Sequence, residues 1–409
     1  MTNDKKSKHT NESQNTGTVK KRRWPRVLAT ILIIILVLAL AIVLFVDSLF
    51  VRPDLPDSSS TPPSPTVTPD SQPESPAPTE EVVTEPIPDN GRKSEDFYTI
   101  LLLGRDTGGG GNTDTILLAS YDVTNQKATI MSIPRDTMVN VPWDVKKINS
   151  VYPWYGGGER GIERLYQEIS QLVGFQPDYR IIVDWEAVGD IVDAIGGVWF
   201  DVPYNMDYDD PAQDLSIHQE AGYRYLTGED AMQVIRWRKN NRNSEYGHSK
   251  GIGDAGRMKL QQDFLQALIE QLVQPENLPR INKLAKVFQD NVDTDLTLQN
   301  ILWFGQQAIV GGLSTDNINF TIMPFTGAYV WSRNLNANLA YVLPVQDELL
   351  ELVNNELSPF REEFTLSDLD IMFVNDDGSL SSSSGHVEDE KSTYPKSYWT
   401  SNKDDSNED

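Results

Sequence analysis

The sequence predicts an α/β fold, a sandwich around a mixed sheet, set behind one transmembrane helix. Three observations predict it. One apolar run of membrane-spanning length lies near the N-terminus. A long Pro-, Ser- and Thr-rich segment follows. Beyond it, short β-branched runs alternate with amphipathic helical ones, the pattern of strands and helices packed as layers.

The chain has 409 residues, no cysteine and a formal net charge of −25. It is long enough for a substantial core, and disulfide and thiolate chemistry are excluded. Residues 1–26 are polar and read as a disordered cytoplasmic tail. Residues 27–46, VLATILIIILVLALAIVLFV, are apolar apart from Thr30 and read as a signal-anchor that spans the membrane. Lys20, Lys21, Arg22, Arg23 and Arg26 precede it, which keeps the N-terminus in the cytoplasm and puts everything after it outside. Residues 47–95 contain SSSTPPSPTVTPDSQPESPAPTEE and read as a disordered stalk. Residues 361–409 read as a mostly disordered acidic tail. The folded domain is expected over 96–360.

Within that domain FYTILLLG, DTILLASYD and KATIMSIP are strand-like. RGIERLYQEISQLVG has helical spacing and ends on Gly174 as a C-cap. YRIIVDW is a strand, EAVGDIVDAIGG a helix closed by Gly196 and Gly197, and VWFDVP a strand. Thr227 and Asp230 form a capping box that opens another helix. DAGRMKLQQDFLQALIEQLV is a long helix starting at Asp254.

The stretch LLLGRDTGGGGNTDTILLAS joins the first two strands through four glycines flanked by Asp106 and Asp114. If the first three strands form an antiparallel meander, Asp106, Asp114 and Arg135 (in SIPRDT) reach one sheet edge. Singly, each has a plainer reading: Asp114 as a turn residue, Arg135 as the partner of Asp136 or another acid. Charged groups of both signs beside a glycine bridge favour a site. Arg236 and Arg238 share a face only where the chain is extended, so they act together only if the helix ends near Val234. The alternative is a solvated basic helix end. Arg257 and Gln261 are four apart and face the same way. A cation in the first turn of a helix is unfavourable unless an anion sits beside it, and the helix N-terminus is itself an anion site.

These groups suit a phosphate ligand, with arginines forking around its oxygens. Two carboxylates suit Mg²⁺, with Mn²⁺ as a substitute. No Gly-Lys-Ser/Thr follows the glycines and no G-x-S-x-G is present. The four histidines are scattered along the chain, which argues against zinc.

LLLGRD, TDTILLAS, SIPRDT, KINSVY, VDWEAVGDIVDAIGGV, GEDAMQVIRWRKN and GDAGRMKLQQ, in this order, resemble the LytR-CpsA-Psr family of cell wall glycopolymer ligases. The resemblance covers about residues 96–345. It implies an α/β/α sandwich with an apolar pocket for a prenyl chain. It implies a membrane phosphotransferase that moves a glycopolymer, of the teichoic acid or capsular polysaccharide class, from undecaprenyl pyrophosphate to peptidoglycan. By the same resemblance Asp106 and Asp114 hold the metal. Arg135, Lys147, Arg236, Arg238, Arg257 and Gln261 bind the pyrophosphate, with Lys146 as a substitute for Lys147. Asp106, Arg135, Arg236 and Arg238 are the expected catalytic groups, Asp106 being the candidate to accept the attacking proton. Where many members have Arg-Ser before the second aspartate, this chain has Asn112-Thr113. Two other functions fit the same residues: hydrolysis of a lipid pyrophosphate, and non-catalytic sensing of wall polymers.

Overall fold

The structure is a computed structural model and describes residues 50–56, 91–105, 113–212, 215–247 and 251–401. The expected cytoplasmic tail and membrane span lie outside these residues, as does the segment 57–90. No helix among the described residues is long and apolar enough to cross a membrane.

The chain enters the domain through β1 (Phe97–Arg105), β2 (Thr113–Asp122) and β3 (Lys127–Ser132). Helices α1 (Val151–Trp154) and α2 (Gly158–Val173), strand β4 (Tyr179–Asp184) and helix α3 (Trp185–Ile195) follow. Four short strands come next: β5 (Val198–Val202), β6 (Met206–Asp210), β7 (Leu215–Gln219) and β8 (Gly222–Leu226). They lead to α4 (Gly228–Arg236), α5 (Gly253–Leu272) and α6 (Ile281–Asn291). Then come β9 (Val292–Thr294), α7 (Leu298–Gly311), β10 (Ile318–Ile322), the hairpin β11 (Phe325–Ser332) and β12 (Ala337–Pro344), and α8 (Gln346–Leu352).

The main sheet has the order β10-β3-β2-β1-β4-β9. β1, β2 and β3 form the expected antiparallel meander, while β4 and β10 pair in parallel with β1 and β3. The sheet is therefore mixed. Strand alternation decides its two faces. Leu101 and Leu103 point to one side and join Ile162, Leu165 and Ile169 of α2. Tyr98, Ile100 and Leu102 point to the other and meet Trp303 of α7. Helices thus cover both faces. Gly174 and Gly196 end their helices in the left-handed conformation (φ 80° and 92°), and the Thr227–Asp230 capping box is formed.

Two boundaries differ from expectation. Residues 50–56 belong to the domain rather than to a stalk. Val51 N–H donates to Gln299 O at 3.3 Å, Arg52 Nε donates to Tyr98 Oη at 3.0 Å, and Phe50 and Leu55 pack beside Tyr98. At the other end the chain stays folded past 361 instead of dissolving into a tail. Leu369, Ile371 and Met372 are fully buried, and β13 (Met372–Val374) pairs with β14 (Leu380–Ser382). The Ser- and Asp-rich composition hides this, because those polar residues bond one another: Asn140 Nδ2 donates to Asp370 Oδ2 at 2.9 Å, and Ser382 Oγ donates to Asp370 Oδ1.

Candidate functional site

Between the main sheet and helices α3, α5, α6 and α7 lies a cavity of about 450 Å³. Its walls are almost wholly apolar, with Leu102, Val183, Ile191, Phe264, Leu265 and Leu302 among them. An apolar pocket is what the family resemblance implied, and its helical walls come from α3, α5, α6 and α7. Pockets of this size suit small ligands, whose typical range is about 300–1,000 Å³.

One end of the cavity is edged by Gly104, Thr115, Ser132, Ile133, Ile235, Met258 and Gln261. Gln261 is itself an expected site residue, and each of the others is a near neighbour in sequence of one. Gly104 precedes Arg105 and Asp106, Thr115 follows Asp114, and Ile133 lies two residues before Arg135. Ile235 precedes Arg236 and Met258 follows Arg257. Topology therefore sets these sequence neighbours at one end of the cavity. Asp106 and the glycine bridge lie outside the described residues. Asp114 is placed by its backbone in β2, one residue from the rim.

Arg135 follows the end of β3 and is half-buried. Asn149 N–H donates to its carbonyl at 3.2 Å, which ties the KINS turn to this loop. That turn carries both lysines, and the structure separates them. Lys147 is partly exposed and pairs with Asp136. Lys146 is buried, with Nζ bonded to Val141 O and 3.7 Å from Asp389 Oδ2. Burial pushes its pKa down to about 8, against the pull of Asp389. Lys146 is therefore no substitute for Lys147.

Helix α4 runs to Arg236, two residues past Val234, near which it had to end for Arg236 and Arg238 to share an extended face. Trp237 then turns extended (φ −64°, ψ 138°). Its indole is 1% exposed, stacks on Tyr204 at 5.4 Å and donates Nε1–H to Asn240 Oδ1 at 3.0 Å. Arg236 stays half-buried and Arg238 exposed. The tryptophan between the two arginines is thus turned into packing.

Helix α5 starts at Gly253, so Arg257 is its fifth residue and enters the second turn rather than the first. Arg257 is buried. One turn on, Gln261 Oε1 faces Thr115 Oγ1 at 3.5 Å and Nε2 donates to Ile235 O at 3.4 Å. Gln261 thereby bridges β2 and the end of α4 at the rim.

Three contributors were not anticipated. Gln262 is buried and lines the cavity, donating Nε2–H to Ser132 Oγ at 2.9 Å and Thr321 O at 2.7 Å. Thr115 faces Gln261, and Asp136 holds Lys147. The doubled glutamine of KLQQD was the only hint of Gln262. The hairpin β6–β7 also sets Asp207 opposite His218, with Asp209 alongside. His218 Nδ1 is 3.1 Å from Asp207 Oδ1, and Nε2 is 3.3 Å from Asp209 Oδ1. Both ring nitrogens therefore face carboxylates within one strand pair.

A model of the LytR_cpsA_psr family matches residues 68–357. The polyisoprenyl-teichoic acid–peptidoglycan teichoic acid transferase TagV of Bacillus subtilis (strain 168) is 27% identical over 58% of this chain and 59% of its own length. The transferase of the same name, TagU, of Oceanobacillus iheyensis is 27% identical over 66% of this chain and 78% of its own length. The regulatory protein MsrR of Staphylococcus aureus (strain COL) is 27% identical over 52% and 61%. The chain thus spans about three fifths of the length of TagV and of MsrR. Among solved structures, B. subtilis TagV superposes with a TM-score of 0.51 at 24% identity, covering 64% of this chain and 95% of that one. Protein gbs0355 of Streptococcus agalactiae gives 0.51 at 21% identity over 67% and 93%. At these identities the structural likeness is one of fold.

Proposed function

The chain belongs to the LytR-CpsA-Psr family, and from that premise we propose that it is a membrane-anchored phosphotransferase. It would move a glycopolymer of the teichoic acid or capsular polysaccharide class from undecaprenyl pyrophosphate to peptidoglycan, outside the cell membrane. The observation that carries this reading is the apolar cavity whose rim gathers the polar segments. A lipid pyrophosphate needs both: burial of its chain, worth about 0.8 kcal/mol per CH₂, and donors for its phosphate oxygens at the point where the chain emerges.

Arg135, Lys147, Arg236, Arg238, Arg257 and Gln261 would bind the pyrophosphate, the arginines by two-pronged bonds to its oxygens. Asp106 and Asp114 would hold Mg²⁺, or Mn²⁺ in its place, since paired carboxylates are the hard oxygen donors such ions take. When bound, the ion would offset charge on the phosphate oxygens. A hydroxyl of peptidoglycan attacks the phosphorus bonded to the glycopolymer. Its bond to the bridging oxygen breaks, and undecaprenyl phosphate leaves with that electron pair. The hydroxyl proton passes to a carboxylate, Asp106 being the candidate. A step of this kind needs positioning and charge stabilisation rather than a covalent nucleophile.

The test supplies the purified full chain with a synthetic undecaprenyl-pyrophosphate-linked polymer and peptidoglycan. Polymer covalently attached to the wall, with matching release of undecaprenyl phosphate, is expected. Release without attachment would make the protein a hydrolase. Binding without release would make it a sensor.

A further inference from the structure

At the end of α5 remote from Arg257, the small sheet of β5 and β8 turns an unusual set of side chains to solvent. A half-exposed antiparallel strand normally places polar residues outward. Here Val198, Phe200 and Val202 are buried, while Trp199 is 50% exposed, Tyr223 70% and Tyr225 46%. Trp199 and Tyr223 stack, with ring centres 5.4 Å apart and planes at 15°. Tyr225 meets Trp199 edge-on at 5.4 Å. Tyr225 lies against the backbone because residue 197 is glycine: a Cβ there would come 2.2 Å from the ring, and φ is +100°. The rings are thus held by one another and by the chain beneath them.

Beside this platform runs a groove of about 360 Å³. Trp199 and Tyr223 form part of its wall, and Glu270, Gln274, Glu276 and Arg280 line it as well. We infer that the groove is a sugar-binding subsite, with a pyranose stacked on the aromatic platform and its hydroxyl or acetamido groups bonded to the polar lining. A pyranose has a face of C–H bonds that suits the negative face of an aromatic ring. Its rim of groups that both donate and accept suits carboxylates, amides and a guanidinium. An anionic membrane surface would select lysine and arginine clusters, but this groove sets Glu270 and Glu276 against Arg280. The same two carboxylates disfavour a polyphosphate, so the ligand is an uncharged stretch of glycan. That this glycan is the acceptor strand rests on the transferase reading. That the groove binds sugar does not.

The probe is a tetramer of β-1,4-linked N-acetylglucosamine, titrated into the purified full chain by calorimetry. Trp199→Ala and Tyr223→Ser serve as variants, both outward-facing, with melting curves alongside. The tetramer is expected to bind. Each variant should weaken it by about three- to ten-fold, and the pair together more, with melting and lipid-donor binding unchanged. Tetramer binding that depends on these rings in a protein that never transfers polymer would sink the transferase reading and leave this subsite standing. No binding of the tetramer, or equal binding by wild type and both variants, overturns the subsite. So does ring-dependent adsorption to phosphatidylglycerol vesicles without tetramer binding, which would make the platform a membrane contact.

Discussion

Lys147 Nζ lies 2.9 Å from Asp136 Oδ1, and neither side chain is closed off from solvent (22% and 26% exposed). The acid beside Arg135 therefore holds the neighbouring lysine at the loop that leads from the cavity rim. A partly exposed pair of this kind stabilises the fold by about 0–1 kcal/mol. Lys147→Gln should accordingly melt close to wild type. If Lys147 contacts phosphate in the transition state, it loses a charge-assisted bond worth about 1.5–3 kcal/mol. That corresponds to a fall in kcat/KM of roughly ten- to a hundred-fold. Steady-state release of undecaprenyl phosphate decides it, and an unchanged rate would remove Lys147 from the site.

Leu265 lines the cavity on α5. Leu265→Trp adds bulk where the prenyl chain is proposed to lie, and an open cavity accepts bulk more readily than a packed core does. The variant should raise KM for an undecaprenyl-linked donor far more than for a short-chain prenyl donor, with melting little changed. Equal loss for both donors would mean that the chain lies elsewhere.

Where the chain enters the domain, Arg92 clamps both oxygens of Asp178, at 2.8 and 2.9 Å. Asp178 Oδ2 also accepts from Thr99 N–H at 2.8 Å and Thr99 Oγ1–H at 2.9 Å. Both charges are buried, so removing one strands the other at a cost of about 3–5 kcal/mol. Arg92→Leu should therefore lower the urea midpoint strongly. A midpoint within experimental error of wild type would show that solvent reaches the pair.

Glu168 on α2 predicts a pH effect. Burial raises its pKa from the usual 4.5 to about 8, and Asp370 and Glu388 add to the rise against Arg164 and Lys146. Between these two pH values the folded chain holds a proton that the unfolded chain releases. This group's contribution is thus fully present below 4.5 and is lost as pH rises through 8. Lys146, whose pKa is lowered, acts with the opposite sign only between about 8 and its usual 10.5. Melting curves from pH 5 to pH 8 therefore compare wild type with Glu168→Gln, which should flatten the decline. Identical slopes would place the carboxyl in water.

Local spacing made much of this fold legible. The apolar, β-branched runs FYTILLLG, DTILLASYD and KATIMSIP marked β1, β2 and β3 as strands, and Thr227 with Asp230 marked the start of α4. What spacing could not show was long-range pairing. His218 looks isolated along the chain, and only the β6–β7 register sets it opposite Asp207. Lys146 and Lys147 are alike as sequence, and only packing against Val141 and Asp389 buries one of them. The strands β13 and β14 were missed because their polar residues satisfy one another, so a segment poor in apolar residues still folds.

The metal proposal is tested by Asp114→Asn, which keeps size and shape and removes one charge. Asp114 lies near the start of β2, one residue before Thr115 at the rim. Substitution at such an edge shifts stability little, so the variant should melt like wild type. If Asp106 and Asp114 share Mg²⁺, the variant should lose transfer, with partial recovery at high Mg²⁺ or Mn²⁺. Wild-type turnover should stop in chelator and return with added metal. If Asp114 only shapes the turn, asparagine serves almost equally well, because both side chains suit turns. Binding of ⁵⁴Mn²⁺ by equilibrium dialysis provides a readout apart from turnover: wild type should retain the ion and the variant should release it. Chelator-resistant turnover in the asparagine variant, with ion retention equal to wild type, would end the assignment of Asp114 as a ligand.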